Sequence, residues 1–149
     1  MNNYFKNLEY TLNGLLRLNK DEQKRFEQAA EITDNRKLKN YFLNKAKRRE
    51  NSASEIKSQI VKYGGIPTAK GSLMGVFHRG VMDLKSFWSM YNDDSLFEKT
   101  VKEERAMLNE YQKLIQLNNI PISCHEILKR QILEIKFGLN IVTSIEDLD

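Results

Sequence analysis

Two histidines, one cysteine and a scatter of glutamates are the residues of this 149-residue chain whose chemistry suits catalysis or metal binding. Helical bundles that hold two metal ions use one Glu from each of two helices and a Glu-x-x-His from each of the other two. Residues three apart share a helix face and so reach the same ions. Here His78 follows Gly75 at that offset and His125 follows Ile122, so the sequence contains no Glu-x-x-His. The remaining metal option is a reduced carboxylate site built from Glu22, Glu55, Glu104 and Glu134. Cys124 falls near the start of a helical stretch, where the helix dipole can lower a thiol pKa. No general base can be assigned to it, and a small apolar core residue is the preferred reading. His78-Arg79 is a candidate surface site, with pairing of Arg79 to Asp83 one turn on as the plainer account. The glycine pair Gly64-Gly65 ends a helix instead of opening one after a strand, which does not suit a phosphate cradle. No catalytic residue is assigned, and no cofactor is expected.

The elements that must position these groups are helical. Phe5, Leu8, Leu12, Leu15, Leu16, Phe26, Ala29 and Ala30 recur at three- and four-residue steps and predict a first helix over about Tyr4 to Ile32. Thr33-Asp34-Asn35 supplies a turn with capping residues. A second helix follows from about Arg36 to Tyr63, with Leu38, Phe42, Lys45 or Ala46, Arg49, Ala53, Ile56 and Ile60 inward. Gly64 can take a left-handed conformation and Pro67 blocks continuation. Ser72 can cap a helix from Leu73 to about Met90, ending in an aromatic cluster of Phe87, Trp88, Met90 and Tyr91 that either closes the bundle or docks a second subunit. A third bundle helix is expected over roughly Ser95 to Asn118, with Phe97, Val101, Glu104, Leu108, Tyr111 and Ile115 inward. The last spans about Ser123 to Leu148, with Cys124, Leu128, Gln131, Ile135, Gly138, Val142 and Ile145 inward.

The segment between the second and third bundle helices sets the expected topology. A helix over 73–90 extends ~27 Å at ~1.5 Å per residue, most of the length of a bundle. It can carry the chain back along the bundle, leaving those two helices parallel. The fold class expected is therefore all-α: an antiparallel four-helix bundle with one long crossover, about 64–94, as in ferritin-like folds. The chain reads as a single domain, 1–149.

Apolar residues make up 40% and charged residues 30%, a globular composition and not a disordered one. The single cysteine excludes an intramolecular disulfide and fits a reducing compartment. The amino-terminal residues carry no signal-peptide pattern, and no apolar run approaches a membrane span. A cytoplasmic location is expected. The net charge is +4, but Lys and Arg are interleaved with Glu and Asp. A nucleic-acid binder clusters its excess, so no nucleic-acid partner is expected. The run Lys45-Ala46-Lys47-Arg48-Arg49 spreads around a helix.

Several polar residues interrupt the inward stripes at matching heights. Counting from the turns places Asn19, Glu22, Arg49, Glu104 and Gln131 in one inward layer, with Arg49 near Glu104. A guanidinium can satisfy a carboxylate in bidentate fashion, and its fixed charge would repel a metal ion. The layer reads either as a buried network that sets helix register or as a remnant metal or small-ligand site.

Leu18-Asn19-Lys20-Asp21, Phe26-Glu27-Gln28-Ala29-Ala30-Glu31, Gly64-Gly65-Ile66-Pro67, Gly71-Ser72-Leu73-Met74-Gly75-Val76-Phe77-His78-Arg79, Asp83-Leu84-Lys85 and Gln131 together carry a resemblance. They resemble an uncharacterised bacterial family of ferritin-like four-helix-bundle proteins, one of the domain-of-unknown-function families, over nearly the whole chain. Val81 stands where tryptophan is expected, and Leu139-Asn140 where a His-Asp pair is common. The resemblance implies the ferritin-like fold and no assigned reaction. The expected function is a non-catalytic bundle acting through a protein partner or a homo-oligomer. A metal-binding or oxidative-stress protein is the alternative.

Overall fold

The computed structural model of the protein describes residues 3–69, 92–117 and 119–148. Among them the chain is all-helical, with four helices and no strand: α1 (Asn3–Ile32), α2 (Arg36–Lys62), α3 (Asp93–Ile115) and α4 (Ile122–Ile141), then a short 3-10 turn at Ile145–Asp147. No described helix is long and apolar enough to cross a membrane. The expected crossover helix, its Ser72 cap, His78-Arg79 and the Trp88 cluster lie outside the described residues.

The helices end where local chemistry ends them. Asn35 Oδ1 accepts from Leu38 N at 3.1 Å and caps α2, and Asn92 Oδ1 accepts from Ser95 N at 3.0 Å and caps α3. Asp93 and Asp94 in the first turn of α3 suit the positive end of its dipole. Buried Thr33 joins the two helix starts: its hydroxyl accepts from Asn35 N and donates to Asp93 Oδ1 at 2.8 Å. Replacing Asn35 with alanine should cost about 0.5–2 kcal/mol. The urea midpoint should fall at constant slope, and an unmoved midpoint would show that the cap contributes nothing.

After α2, Gly64 adopts φ of +82°, and Gly65 lies so close to Glu9 that an added Cβ would meet its Oε2 at 2.5 Å. The chain is then tied back onto α1. Glu9 Oε2 accepts from Ile66 N at 2.9 Å, and Asn13 Oδ1 accepts from Thr68 N at 2.7 Å and Ala69 N at 3.0 Å.

Two expectations are corrected. The last helix stops at Ile141, short of Leu148, because Asp147 Oδ2 accepts from Thr143 N, Thr143 Oγ1 and Ser144 N at 2.9–3.2 Å. Those bonds offer the backbone an alternative to another helical turn, and they hold the exposed Asp147 carboxyl below its usual range. The buried stripe of α3 is also rotated. Leu96, Thr100, Met107 and Leu114 are buried with Phe97, Glu104 and Tyr111, whereas Val101, Leu108 and Ile115 are only half-buried.

Buried apolar residues fall into two clusters. One gathers Leu8 to Leu18, Ala53 to Ile60, Met107 to Leu114 and the inner face of α4; the other gathers Phe26, Ala29, Ala30, Leu38, Phe42, Ala46, Leu96, Phe97 and Leu148. Between them the buried residues are polar: Asn19, Glu22 and Arg25 in α1, Arg49 and Ser52 in α2, and Thr100 and Glu104 in α3, with buried Lys45 beside Ala46 at the edge of the second cluster.

Candidate functional site

The polar middle layer is the site the helices build. Asn19, Glu22, Arg49, Glu104 and Gln131 are each at most 1% exposed. They divide into two hydrogen-bonded groups that Arg49 stands beside.

The first group is a chain of neutral donors. Asn19 Nδ2 donates to Leu15 O and to Tyr111 Oη, both at 2.9 Å. Tyr111 Oη donates to Gln131 Oε1 at 2.7 Å, and Gln131 Nε2 donates to Glu55 Oε1 at 3.0 Å. Burial pushes the Tyr111 hydroxyl up to about 12, against the opposing pull of Arg49, so it stays a donor. Sequence reading placed Tyr111 on the apolar stripe and missed this role. The signal was available, since a buried tyrosine hydroxyl finds a partner.

The second group is built around the cations Arg25 and Lys45. Arg25 Nη1 donates to Glu22 Oε1 at 3.1 Å and to Glu103 Oε2 at 3.2 Å, and Lys99 reaches Glu103 from the other side at 3.4 Å. Lys45 Nζ donates to Glu104 Oε1 at 3.0 Å and lies over the Tyr41 ring, 5.4 Å from its centroid. Gly138 makes this placement fit, since a Cβ there would come within 2.6 Å of Lys45 Nζ. Glycine in a helix interior costs about 0.5–1 kcal/mol relative to alanine. Here it leaves the ammonium its space.

The expected neighbours therefore exchange partners. Lys45, one turn before Arg49 on the same face of α2, takes Glu104. The carboxylate in reach of Arg49 is Glu134, at 3.9 Å, which also holds Arg48 at 3.3 Å. Periodicity ranks Lys45 level with Ala46 on the inward stripe and passes over Arg25. Its spacing of three from Glu22 was the available clue.

Glu22 is paired with Arg25, yet its carboxyl is pushed up from 4.5 to about 8. Burial is the largest cause, followed by repulsion from Glu103; Arg25 and then Arg49 pull the other way. The pairing does not win because desolvation, reinforced by the Glu103 carboxylate, outweighs the pull of Arg25. At neutral pH Glu22 is mostly a neutral acid.

An ammonium and two guanidiniums stand among the carboxylates of the layer, and among the described residues no three His, Cys, Asp or Glu side chains are arranged to hold a metal ion. Within the set Glu22, Glu55, Glu104 and Glu134, Glu104 acts on Glu22 and Glu55 shares a groove with Glu134, and each carboxylate has its own partner. Glu22 faces Arg25, Glu104 faces Lys45, Glu55 faces Gln131 and Arg130, and Glu134 faces Arg48. The last two border a groove of about 590 Å³ between α2 and α4. Cys124 is buried among apolar neighbours, and desolvation pushes its thiol up to about 11 against the pull of Lys62. That shift disfavours the thiolate, the form in which a cysteine acts as a nucleophile.

No curated protein matches the chain. A family model described as a domain of unknown function, DUF2383, matches residues 7–117, a stretch that takes in all of α3 and most of α1 and stops before α4. On that match the chain belongs to the DUF2383 family.

Proposed function

We propose that the chain is a single-domain, ferritin-like antiparallel four-helix bundle whose centre is closed by basic side chains, and that it acts without catalysis through self-association or a protein partner. The observation that carries this reading is the Lys45 ammonium at 3.0 Å from Glu104 beside buried Arg49. Two-metal bundles gather carboxylates at their centre. Here cations compensate those carboxylates instead, and fixed positive charge at that place opposes a divalent ion.

Contact order along the helices supports the topology. Glu9 meets Ile66 and Phe26 meets Phe42, so α1 and α2 run oppositely. Asn19 meets Tyr111, Arg25 meets Glu103 and Thr33 meets Asp93, so α1 and α3 do too. Lys62 meets Ser123 and Glu55 meets Gln131, which opposes α2 and α4. Tyr41 meets Phe97 and Lys45 meets Glu104, so α2 and α3 run the same way. Parallel neighbours in sequence need a connection that returns along the bundle, the role of a long crossover.

Self-association is supported by α4, which exposes Leu133, Phe137 and Ile141 at four-residue steps. A bacterial, cytoplasmic protein fits the family resemblance and the single thiol.

Elemental analysis of protein purified without chelator, before and after incubation with ferrous iron or manganese, tests the reading. Substoichiometric metal is expected in both. Two metal ions per chain, lost in Glu104→Ala, would overturn it in favour of a reduced carboxylate metal site.

A further inference from the structure

We infer that the centre of the bundle is a buried water-binding site, in which at least one water molecule accepts from Arg49 and donates to Glu104 and Asn19. Arg49 is 1% exposed, and its Nε and Nη1 donors find no hydrogen-bond partner among the described residues; nor do the acceptors Glu104 Oε2 and Asn19 Oδ1.

Buried polar groups are almost always hydrogen-bonded, and internal water serves those that protein groups do not. Neighbouring side chains here are already committed. Lys45 Nζ is on the other Glu104 oxygen. Tyr111 Oη accepts from Asn19 and donates to Gln131. The Asn19 amide nitrogen is used twice, which fixes its oxygen as the unmet end. These residues share one layer. Arg49 lies one turn after Lys45, which holds Glu104 at 3.0 Å; Asn19 lies one turn before Glu22, whose partner Arg25 also bonds Glu103, the residue next to Glu104. The electrostatic pull of Arg49 on Tyr111 and of Arg49 and Glu104 on Glu22 agrees with that placement.

The mixture of donors and acceptors selects the ligand. A metal cation would meet Arg49, and an anion would meet the Glu104 carboxylate. An apolar molecule would leave every group unmet. Water both accepts and donates, so it serves both ends at once.

A high-resolution crystal structure of the full chain, with separate bromide and manganese soaks, tests this. So does water-oxygen relaxation dispersion, which counts long-lived internal water in solution. Expected is density within hydrogen-bond distance of both Arg49 and Glu104 without an anomalous peak. The long-lived water signal should be present in the wild type and lost in Lys45→Met/Arg49→Met/Glu104→Leu, which removes the Glu104 carboxylate together with both cations beside it and so strands no charge. Direct Arg49–Glu104 contact, a bromide peak, or a dispersion unchanged by the triple substitution would overturn the water site alone. A manganese peak would overturn it together with the proposed function.

Discussion

Replacing Lys45 with methionine should lower the unfolding free energy by about 3–5 kcal/mol, the cost of leaving one member of a buried ion pair without its partner. Lys45 and Glu104 are 8% and 1% exposed at their side chains, so solvent cannot screen the orphaned carboxylate. Glu104→Leu alone should cost a similar amount, because it strands the ammonium. The double substitution Lys45→Met/Glu104→Leu removes both charges, and most of the loss should return. Buried pairs replaced by apolar groups of similar volume are often as stable as the original. Urea unfolding of the four proteins gives the coupling energy directly.

Lys47→Met is the internal control. Its pair with Glu50 sits at 3.4 Å with both side chains more than half exposed, where such pairs contribute about 0–1 kcal/mol. If Lys45→Met costs no more than Lys47→Met, the central pair does not hold the layer together. The register argument for the polar residues would then fail as well.

How far sequence alone reaches is clearest at this layer. The stripes of α1 and α2 were legible because Leu12, Leu15, Leu16 and Leu38, Phe42, Ile56 offer one apolar face with polar gaps at Asn19, Glu22 and Arg49. Those gaps stand out against regular spacing, so the membership of the layer could be counted from the turns. Its pairing could not. Lys45 and Arg49 are one turn apart on one face, and which of them meets Glu104 depends on side-chain reach and on the room at Gly138, a residue on another helix. α3 was harder for a different reason. Val101, Leu108, Ile115 and Leu96, Met107, Leu114 form two apolar sets one position apart, and periodicity alone cannot rank them. The early end of α4 depends on hydrogen bonds that Asp147 makes backwards along the chain, which an apolar period does not register.

Glutamine in place of Glu22 should make the protein more stable at pH 8 and nearly remove its pH dependence between pH 5 and 8. The folded carboxyl, at about 8, lies above its ordinary 4.5. Within that window the folded chain keeps a proton that the unfolded chain has released. Unfolding then releases a proton, so wild-type stability falls as pH rises, by up to about 1.4 kcal/mol per pH unit from this one group. The penalty is complete above the folded value and absent below the unfolded one. The groups acting on Glu22 are Glu103 and Glu104 from α3, Arg25 on its own helix and Arg49 from α2. Asp147, whose pKa is lowered, contributes stability that is lost only in more acidic solution. Glutamine keeps the shape and can still accept from Arg25, but it has no charge to desolvate. Urea midpoints at pH 5, 6.5 and 8 decide the matter. A wild-type midpoint that is flat or rises across that range, or a Glu22→Gln midpoint lower by the same amount at every pH, would mean that Arg25 keeps Glu22 ionised after all. A buried carboxyl touching a guanidinium is easily read as an ion pair; here burial and a second carboxylate competing for the same guanidinium outweigh that contact.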